Sequence, residues 1–591
     1  MYWGEFLVCS VVVLVFFTVL AVLSTKTRKY KWFTPITMLT AGVILSALSL
    51  YIPIFYQSYN KLGGGLFESV YDSVKSSIDI FGFNGSLGKH IGVLSELKLS
   101  IYNGYITMFS IIFVIAPMLT VSYLLSFFND ISSYVYYIFR FNSKIYVFSE
   151  LNEESYLLAK SIEENKEEKT LIIFANVVKD RKKKNILIEK AVGIGAIYFK
   201  KDIHSIKLVL HNKNRELRLF AIGADEDRNV NLSFELMKKY KGNENVYLYV
   251  FSTKEEAEYL FMNAYDSEFK LKVRRVDVVS SLVARNMYEE GYEKIFSNAV
   301  EKDGVKNINA LIVGVGKYGT EMARTLPWVC QMDGYKVKIN AVDIRKDTEE
   351  IFTSLCPELM EYSGKQIEGE SEYELNVHSN MDVYTDSFDK FVVGLGEVTY
   401  VFVDVGEDDK NISVAIKLRT LFARQSCYPC IQAIVHNTDK KNSMTGITNH
   451  RNQQYNIDFL GDLSSCFSKK VILNSILEQK ALARHLKWGK EDEFWKYSYN
   501  YNSSIASVIH RKLKKMCGMA GIEKSVDERS EEEKVNLRIL EHKRWNAYVR
   551  SQGYVYGGTV EKSGRNDMAK THNCLVSFSK LPLEEQLKDD D

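Results

Sequence analysis

Ile308-Asn309-Ala310-Leu311-Ile312-Val313-Gly314-Val315-Gly316-Lys317-Tyr318-Gly319 decides the fold of the larger part of this chain. An apolar run meets a GxGxxG turn, and the residues after it read as a helix through Leu326. The next apolar strand, Val337 to Val342, ends at Asp343, 24 residues after Gly319. Strand, glycine turn, helix, strand and terminal carboxylate is the order of a βαβ unit in a parallel sheet. The glycines permit a tight turn and let a pyrophosphate approach the helix N-terminus, where backbone N–H groups are free to bind it. The carboxylate can accept bonds from ribose hydroxyls. Gly314, Gly316, Gly319 and Asp343 are therefore the candidate site for a dinucleotide or adenine nucleotide such as NAD or ATP. The alternative is that the glycines only let the helix pack on the strand.

The same alternation extends both ways. Downstream come Tyr400 to Gly406, a helix from Ile412 to Arg424 and a strand at Ile431. Upstream are apolar strands at Lys144–Phe148, Thr170–Phe174, Ile197–Phe199, Leu217–Ile222, Val246–Val250 and Leu271–Val273, with helical stretches between them. This predicts two α/β doubly wound, Rossmann-like domains, at 144–300 and 306–487. They form a loose tandem repeat, in which Tyr455 to Phe459 echoes Arg275 to Val279. The first domain has Ser149-Glu150-Leu151-Asn152 where glycines would sit, and Glu150 would repel a phosphate. That half reads as degenerate and structural.

The N-terminal 128 residues are of another kind. Phe6 to Leu23, Phe33 to Tyr56 and Ile101 to Phe128 are uncharged, mostly apolar runs. Eighteen residues at 1.5 Å each reach about 27 Å, enough to cross a bilayer core. The expectation is an α-helical, three-span membrane module over residues 1–128. Lys26, Arg28, Lys29 and Lys31 place the first link in the cytoplasm. The N-terminus is then outside, and the large C-terminal part is cytoplasmic. Between about 57 and 100 an external amphipathic helix is expected from Leu66 to Ile78, lying on the membrane or between protomers. Phe81-Gly82-Phe83-Asn84-Gly85 does not match a potassium filter. Three spans cannot enclose a pore alone, so conduction implies a homo-oligomer.

Composition narrows the function. With 76 basic and 74 acidic residues, the net charge of +2 argues against a nucleic-acid partner. The eight cysteines show no disulfide framework, and Cys427-x-x-Cys430 runs into an apolar strand, so buried, structural thiols are expected. There is no HExxH, no Cys/His metal spacing and no serine nucleophile elbow. The chain therefore reads as neither an enzyme nor a metal protein.

From about 490 the character turns helical, with helices expected at 503–516 and 530–551. Glu541-His542-x-x-Trp545, Gly553-Tyr554-x-Tyr556-Gly557, His572-x-Cys574-Leu575-Val576 and Leu581-Pro582-x-x-Glu585 follow in order. Together they closely resemble the RyR domain, the repeat module of ryanodine receptors that also occurs in bacterial proteins. Spans followed by tandem Rossmann halves resemble the RCK (regulator of K+ conductance, TrkA-N) domains, on Gly314, Gly316, Gly319 and Asp343. The resemblances imply a mainly α RyR domain at 490–591 and a ring-forming sensor below a bacterial inner membrane. They imply a nucleotide second messenger as ligand, in antiviral signalling of the CBASS, type III CRISPR or Thoeris kind. His542, Arg544, Trp545, Tyr554, Tyr556, Lys570 and His572 are the candidate signal-binding residues, with tyrosines to stack on a base and cations to meet phosphate. Trp545, Tyr554 and Tyr556 read equally well as the small domain's core. Two other functions stay open: an NAD(H)- or ATP-sensing regulator of K+ transport, and a membrane-anchored scaffold without ligand.

Overall fold

The computed structural model describes residues 35–61, 65–82, 99–127, 144–177, 181–208, 216–257, 270–448, 456–557 and 564–589, with positions 63, 84, 133, 136, 137 and 261. The expected span at Phe6–Leu23 and the basic link after it lie outside these residues. The chain divides into two compact bodies, residues 1–142 with 176–201, and residues 143–175 with 202–591.

The first body holds α1 (Pro35–Lys61), α2 (Leu66–Asp79) and α3 (Leu99–Phe127). Thr40–Tyr59 and Tyr102–Val121 carry no charged residue, and each has 20 residues. These two helices are long and apolar enough to cross a membrane by length and composition. They share a core of Leu50, Tyr51, Ile54, Tyr105, Phe109 and Ile112. Tyr51 meets Phe109 edge-on at 5.6 Å. Leu45, Ile111, Val114 and Met118 point outward, a surface better suited to lipid than to water.

Helix α2 forms where the apolar spacing placed it, but its packed face is not the apolar one. Ser69, Ser73 and Ser77 are fully buried, and α2 packs on α1. Leu66, Phe67, Tyr71 and Ile78 are exposed, Phe67 at 84%. The serine hydroxyls are satisfied within the helix. Ser73 Oγ donates to the Ser69 carbonyl at 2.6 Å, and Ser77 Oγ to the Ser73 carbonyl at 2.7 Å. With its hydroxyls folded back, the stripe offers only small groups, which lets two helices approach closely.

The second body contains two parallel sheets. β1 (Lys144–Phe148), β2 (Thr170–Phe174), β3 (Leu217–Ala221), β4 (Val246–Phe251) and β5 (Lys272–Val276) lie in the order β2-β1-β3-β4-β5. β6 (Val305–Val313), β7 (Tyr335–Val342), β8 (Glu374–His378), β9 (Tyr400–Val403), β10 (Cys430–Ile434) and β11 (Ile457–Leu460) lie in the order β8-β7-β6-β9-β10-β11. The second order is that of a doubly wound sheet, with its switch point between β6 and β9. Its strands are apolar because both faces are covered. Val313, Val342 and Val401 are fully buried with Phe388 and Phe422 from flanking helices. β8 has no apolar run to announce it. It is an edge strand whose residues alternate between buried and half-buried. The tandem repeat is real in place but shifted in register. The aspartate that caps the helix after β5 is Asp277, and its counterpart after β11 is Asp462.

Four further helices position the site: α4 (Glu153–Glu164), α5 (Val278–Gly291), α6 (Lys317–Val329), and, in the C-terminal region, α7 (Ser498–Met516). A fifth, α8 (Glu531–Ser551), starts with a Ser530/Glu533 capping box. It packs on α6, where Trp328 meets Tyr548 edge-on at 5.7 Å. The fully buried Arg550 pairs with Glu370 at 2.9 Å and lies 3.7 Å over the Tyr362 ring. The motif His572-x-Cys574-Leu575-Val576 begins in a short strand, Thr571–His572, in a small sheet with Val555–Tyr556 and Arg565–Asn566. Asn573 and Cys574 form a turn, in which Cys574 N–H donates to the His572 ring and not to a neighbouring strand.

Candidate functional site

The glycine turn has the expected backbone. Gly314 has φ +91°, and a Cβ there would run into the Asp404 carbonyl group. A Cβ on Gly319 would run into the Gly314 carbonyl oxygen. These two glycines are thus required by close packing alone. Gly316 is the N-cap of α6. Asp343, at the end of β7, accepts hydrogen bonds from Val315 N–H (2.7 Å), Arg345 N–H (2.9 Å) and Arg345 Nε (3.0 Å). Burial works to raise its pKa, but the Arg345 guanidinium and the two backbone donors hold it below the usual range. Asp404, at the end of β9, has its pKa pushed up by burial, with the nearby backbone N–H groups of Gly406 and Tyr318 pulling the other way, and its Oδ2 lies 3.5 Å from where a Cβ on Gly316 would stand. Tyr318 is in the first turn of α6, so a carboxylate already stands at the helix N-terminus where a pyrophosphate would bind.

The first sheet repeats the theme without glycines. Asn152 caps α4 by accepting Ser155 N–H at 2.8 Å. Ser149 Oγ accepts Ile222 N–H at 2.8 Å, which ties the turn to the chain after β3. Two of the N–H groups at the start of α4, those of Asn152 and Ser155, are thereby engaged by side chains.

The C-terminal candidates separate into four groups. His542, Trp545 and His572 form an aromatic cluster. The His542 and Trp545 rings lie 5.7 Å apart, and Trp545 meets His572 edge-on at 4.8 Å. His542 Nε2 contacts the Val576 carbonyl at 2.8 Å. His572 Nδ1 accepts Cys574 N–H at 3.1 Å, and burial pushes its pKa down to about 4. Arg544 is buried against Glu541 at 2.5 Å, beside Lys514. Tyr556 is 57% exposed. These residues do not converge on one another as a ligand surface. Tyr554 and Lys570 do something different, because they line a cavity that also reaches the glycine turn.

That cavity is about 1230 Å³ and is bounded by both sheets and the C-terminal region. Val315, Gly316 and Lys317 come from the turn, Arg274 and Arg275 from β5, and Tyr499, Tyr548, Tyr554 and Lys570 from the C-terminal region. Its volume exceeds the roughly 300–1,000 Å³ of pockets for drug-sized ligands. In its lining, Arg324 of α6 donates from Nε to the Ser551 carbonyl (2.6 Å) and from Nη2 to Glu255 (3.1 Å). Lys570 Nζ donates to Glu255 (2.9 Å) and to the Gln552 carbonyl (2.9 Å). Burial alone would raise the Glu255 pKa, yet Arg324 and Lys570 draw it down to about 2. Arg274 pairs with Glu478 and donates to the Ile472 carbonyl at 3.0 Å. The sequence reading missed Glu255, Arg274, Arg324 and Tyr499. Arg324 carries a legible signal, since it interrupts the buried run Met322, Ala323, Leu326 of α6. An arginine on such a face needs partners from elsewhere.

The free cysteines Cys330, Cys356, Cys430 and Cys466 are buried, and burial pushes Cys430 up to about 12. Cys427 and Cys430 are not joined to each other. No protein-family model and no curated protein matches the chain.

Proposed function

We propose that the protein is a nucleotide-gated membrane effector, in which a phosphate-bearing signal nucleotide binds the cavity between the two sheets and the C-terminal region. The observation that carries the reading is that one large cavity gathers cations and tyrosines from all three segments. A ligand seated there changes how the segments meet. The RyR-like motifs and the RCK-like order of the chain point the same way, toward a homo-oligomer in a bacterial inner membrane and a role in antiviral defence. On this reading the protein is multi-pass, its N-terminus is outside, its large C-terminal part is cytoplasmic, and it is not an enzyme. Reversing a 1:99 population requires about 5.5 kcal/mol of differential binding, which a ligand touching three segments can supply. The alternative, a regulator sensing NAD(H) or ATP at the glycine turn, needs Asp404 to leave the N-terminus of α6 and Asp343 to leave Arg345.

The test is permeability. The full chain is reconstituted in vesicles and challenged with NAD, NADH, ATP, ADP-ribose and cyclic or adenylylated signal nucleotides. A rise in ion leak with a signal nucleotide, lost in Tyr554→Ala, is expected. Binding of such a nucleotide with no change in leak, in anionic and neutral lipid alike, overturns gating.

A further inference from the structure

Glu255, Arg324 and Lys570 belong to three parts of the chain that meet at one point. Glu255 follows β4, Arg324 is on α6, and Lys570 precedes the short strand Thr571–His572. Each carboxylate oxygen of Glu255 takes one cation, Oε1 facing Arg324 Nη2 at 3.1 Å and Oε2 facing Lys570 Nζ at 2.9 Å. Two oxygens of a phosphate satisfy the same pair of donors, with more charge and a spare oxygen.

We propose that Arg324 and Lys570 form a phosphate seat, and that Glu255 occupies it when no ligand is bound. The proposal deepens the nucleotide-gated reading and rests on it for its biological sense. The geometry separates what stays from what leaves. Both cations are anchored independently of Glu255 on the last carbonyls of α8, Arg324 on Ser551 at 2.6 Å and Lys570 on Gln552 at 2.9 Å. These bonds place positive charge at a helix C-terminus, where it is favoured. The Glu255 side chain is 34% exposed and the Arg324 side chain 10%, so Glu255 is the more accessible of the two partners. The cavity continues from the seat to Tyr554 and Tyr499, whose rings lie 6.0 Å apart. A ligand with a phosphate at one end and an aromatic base at the other matches that order. When phosphate takes the seat, Glu255 is released, and the first sheet loses its tie to the end of α8 while Arg324 keeps its own. Binding is thereby converted into a change at the junction of the first sheet with the rest.

The probe is inorganic pyrophosphate, titrated calorimetrically into the full-length protein in detergent at fixed ionic strength. Glu255→Gln keeps the shape of the side chain and removes its charge. It is expected to tighten pyrophosphate binding roughly tenfold, the scale of one like charge removed at close range. Lys570→Gln is expected to weaken binding by a similar factor in both backgrounds. Equal or weaker binding by Glu255→Gln, or binding indifferent to Lys570→Gln, overturns the seat. So does an absence of binding by both the native protein and Glu255→Gln. If Glu255→Gln does not fold, the loss in Lys570→Gln carries the test, with partial recovery in Lys570→Arg. The two proposals fail separately. Tightened pyrophosphate binding beside unchanged vesicle leak keeps the seat and removes gating. Ligand-induced leak beside unchanged pyrophosphate affinity does the reverse.

Discussion

Asp404 stands beside the N-terminus of α6, and this changes what the glycines are for. Gly314 and Gly319 are needed because carbonyl oxygens lie where their side chains would be. Gly319→Ala is therefore expected to cost about 1–3 kcal/mol in denaturant unfolding, with or without nucleotide present. A ligand-dependent loss larger than the stability loss would instead assign the turn a binding role. The sequence placed the turn and Asp343 correctly, because strand and helix periods fix where the chain reverses. It gave no hint that Arg345 would claim the carboxylate, since spacing says nothing about which way a side chain turns. His572 shows the same limit. It reads as a phosphate ligand in the sequence and is buried beside Trp545 in the structure. Burial, with Arg565 nearby, lowers its pKa from 6.5 to about 4. The unfolded chain takes up the proton first as pH falls. This contribution to stability is full above pH 6.5 and is lost between 6.5 and about 4, at about 1.4 kcal/mol per pH unit. Unfolding measured across that window should show the slope, and His572→Asn, which keeps an acceptor for Cys574 N–H, should flatten it.

Elements with long apolar runs were legible in the sequence, and the exceptions have physical reasons. β8 escapes because an edge strand needs one buried face only. α2 was legible as a helix but not in its orientation, because amphipathic spacing names two faces and does not say which one packs. α8 announces itself through its capping box, while its most consequential residue looks like an ordinary surface charge. Arg550 is fully buried and depends on Glu370 and on Glu358, which lies in a short helix (Pro357–Glu361), both from the segment between β7 and β8. Removing one partner of a buried pair leaves an uncompensated charge, which typically costs 3–5 kcal/mol. Arg550→Ala should lower the unfolding midpoint accordingly. Arg550→Ala combined with Glu370→Gln should recover part of the loss. A change below about 1 kcal/mol in the single variant would show that the pair is solvated in solution.

For the molecule as a whole, a domain boundary near 490 was read from a change of character in the sequence. The second body does not part there. α8 covers Trp328, and the C-terminal end of that helix is held by Arg324 and Lys570 with Glu255 between them. A chain ending at 489 should therefore lose the partners of Arg324 and Glu370 together. It is expected to precipitate, or to unfold broadly instead of in one cooperative step, in a comparison of thermal melts. A sharp melt near that of the full chain would mean that the two sheets are self-sufficient.

The serine stripe of α2 bears on how this protein can vary. Because each buried hydroxyl is returned to its own helix, the contact with α1 places a limit on volume and almost none on polarity. Alanine or glycine at positions 69, 73 and 77 should be tolerated in a substitution library scored for folded protein in membranes. Threonine and valine, which add one branch, should be depleted, and leucine should be absent. The exposed side of the same helix obeys the opposite rule. There bulk is free to change, and a charge in place of Phe67 or Ile78 is the substitution to expect selection to remove.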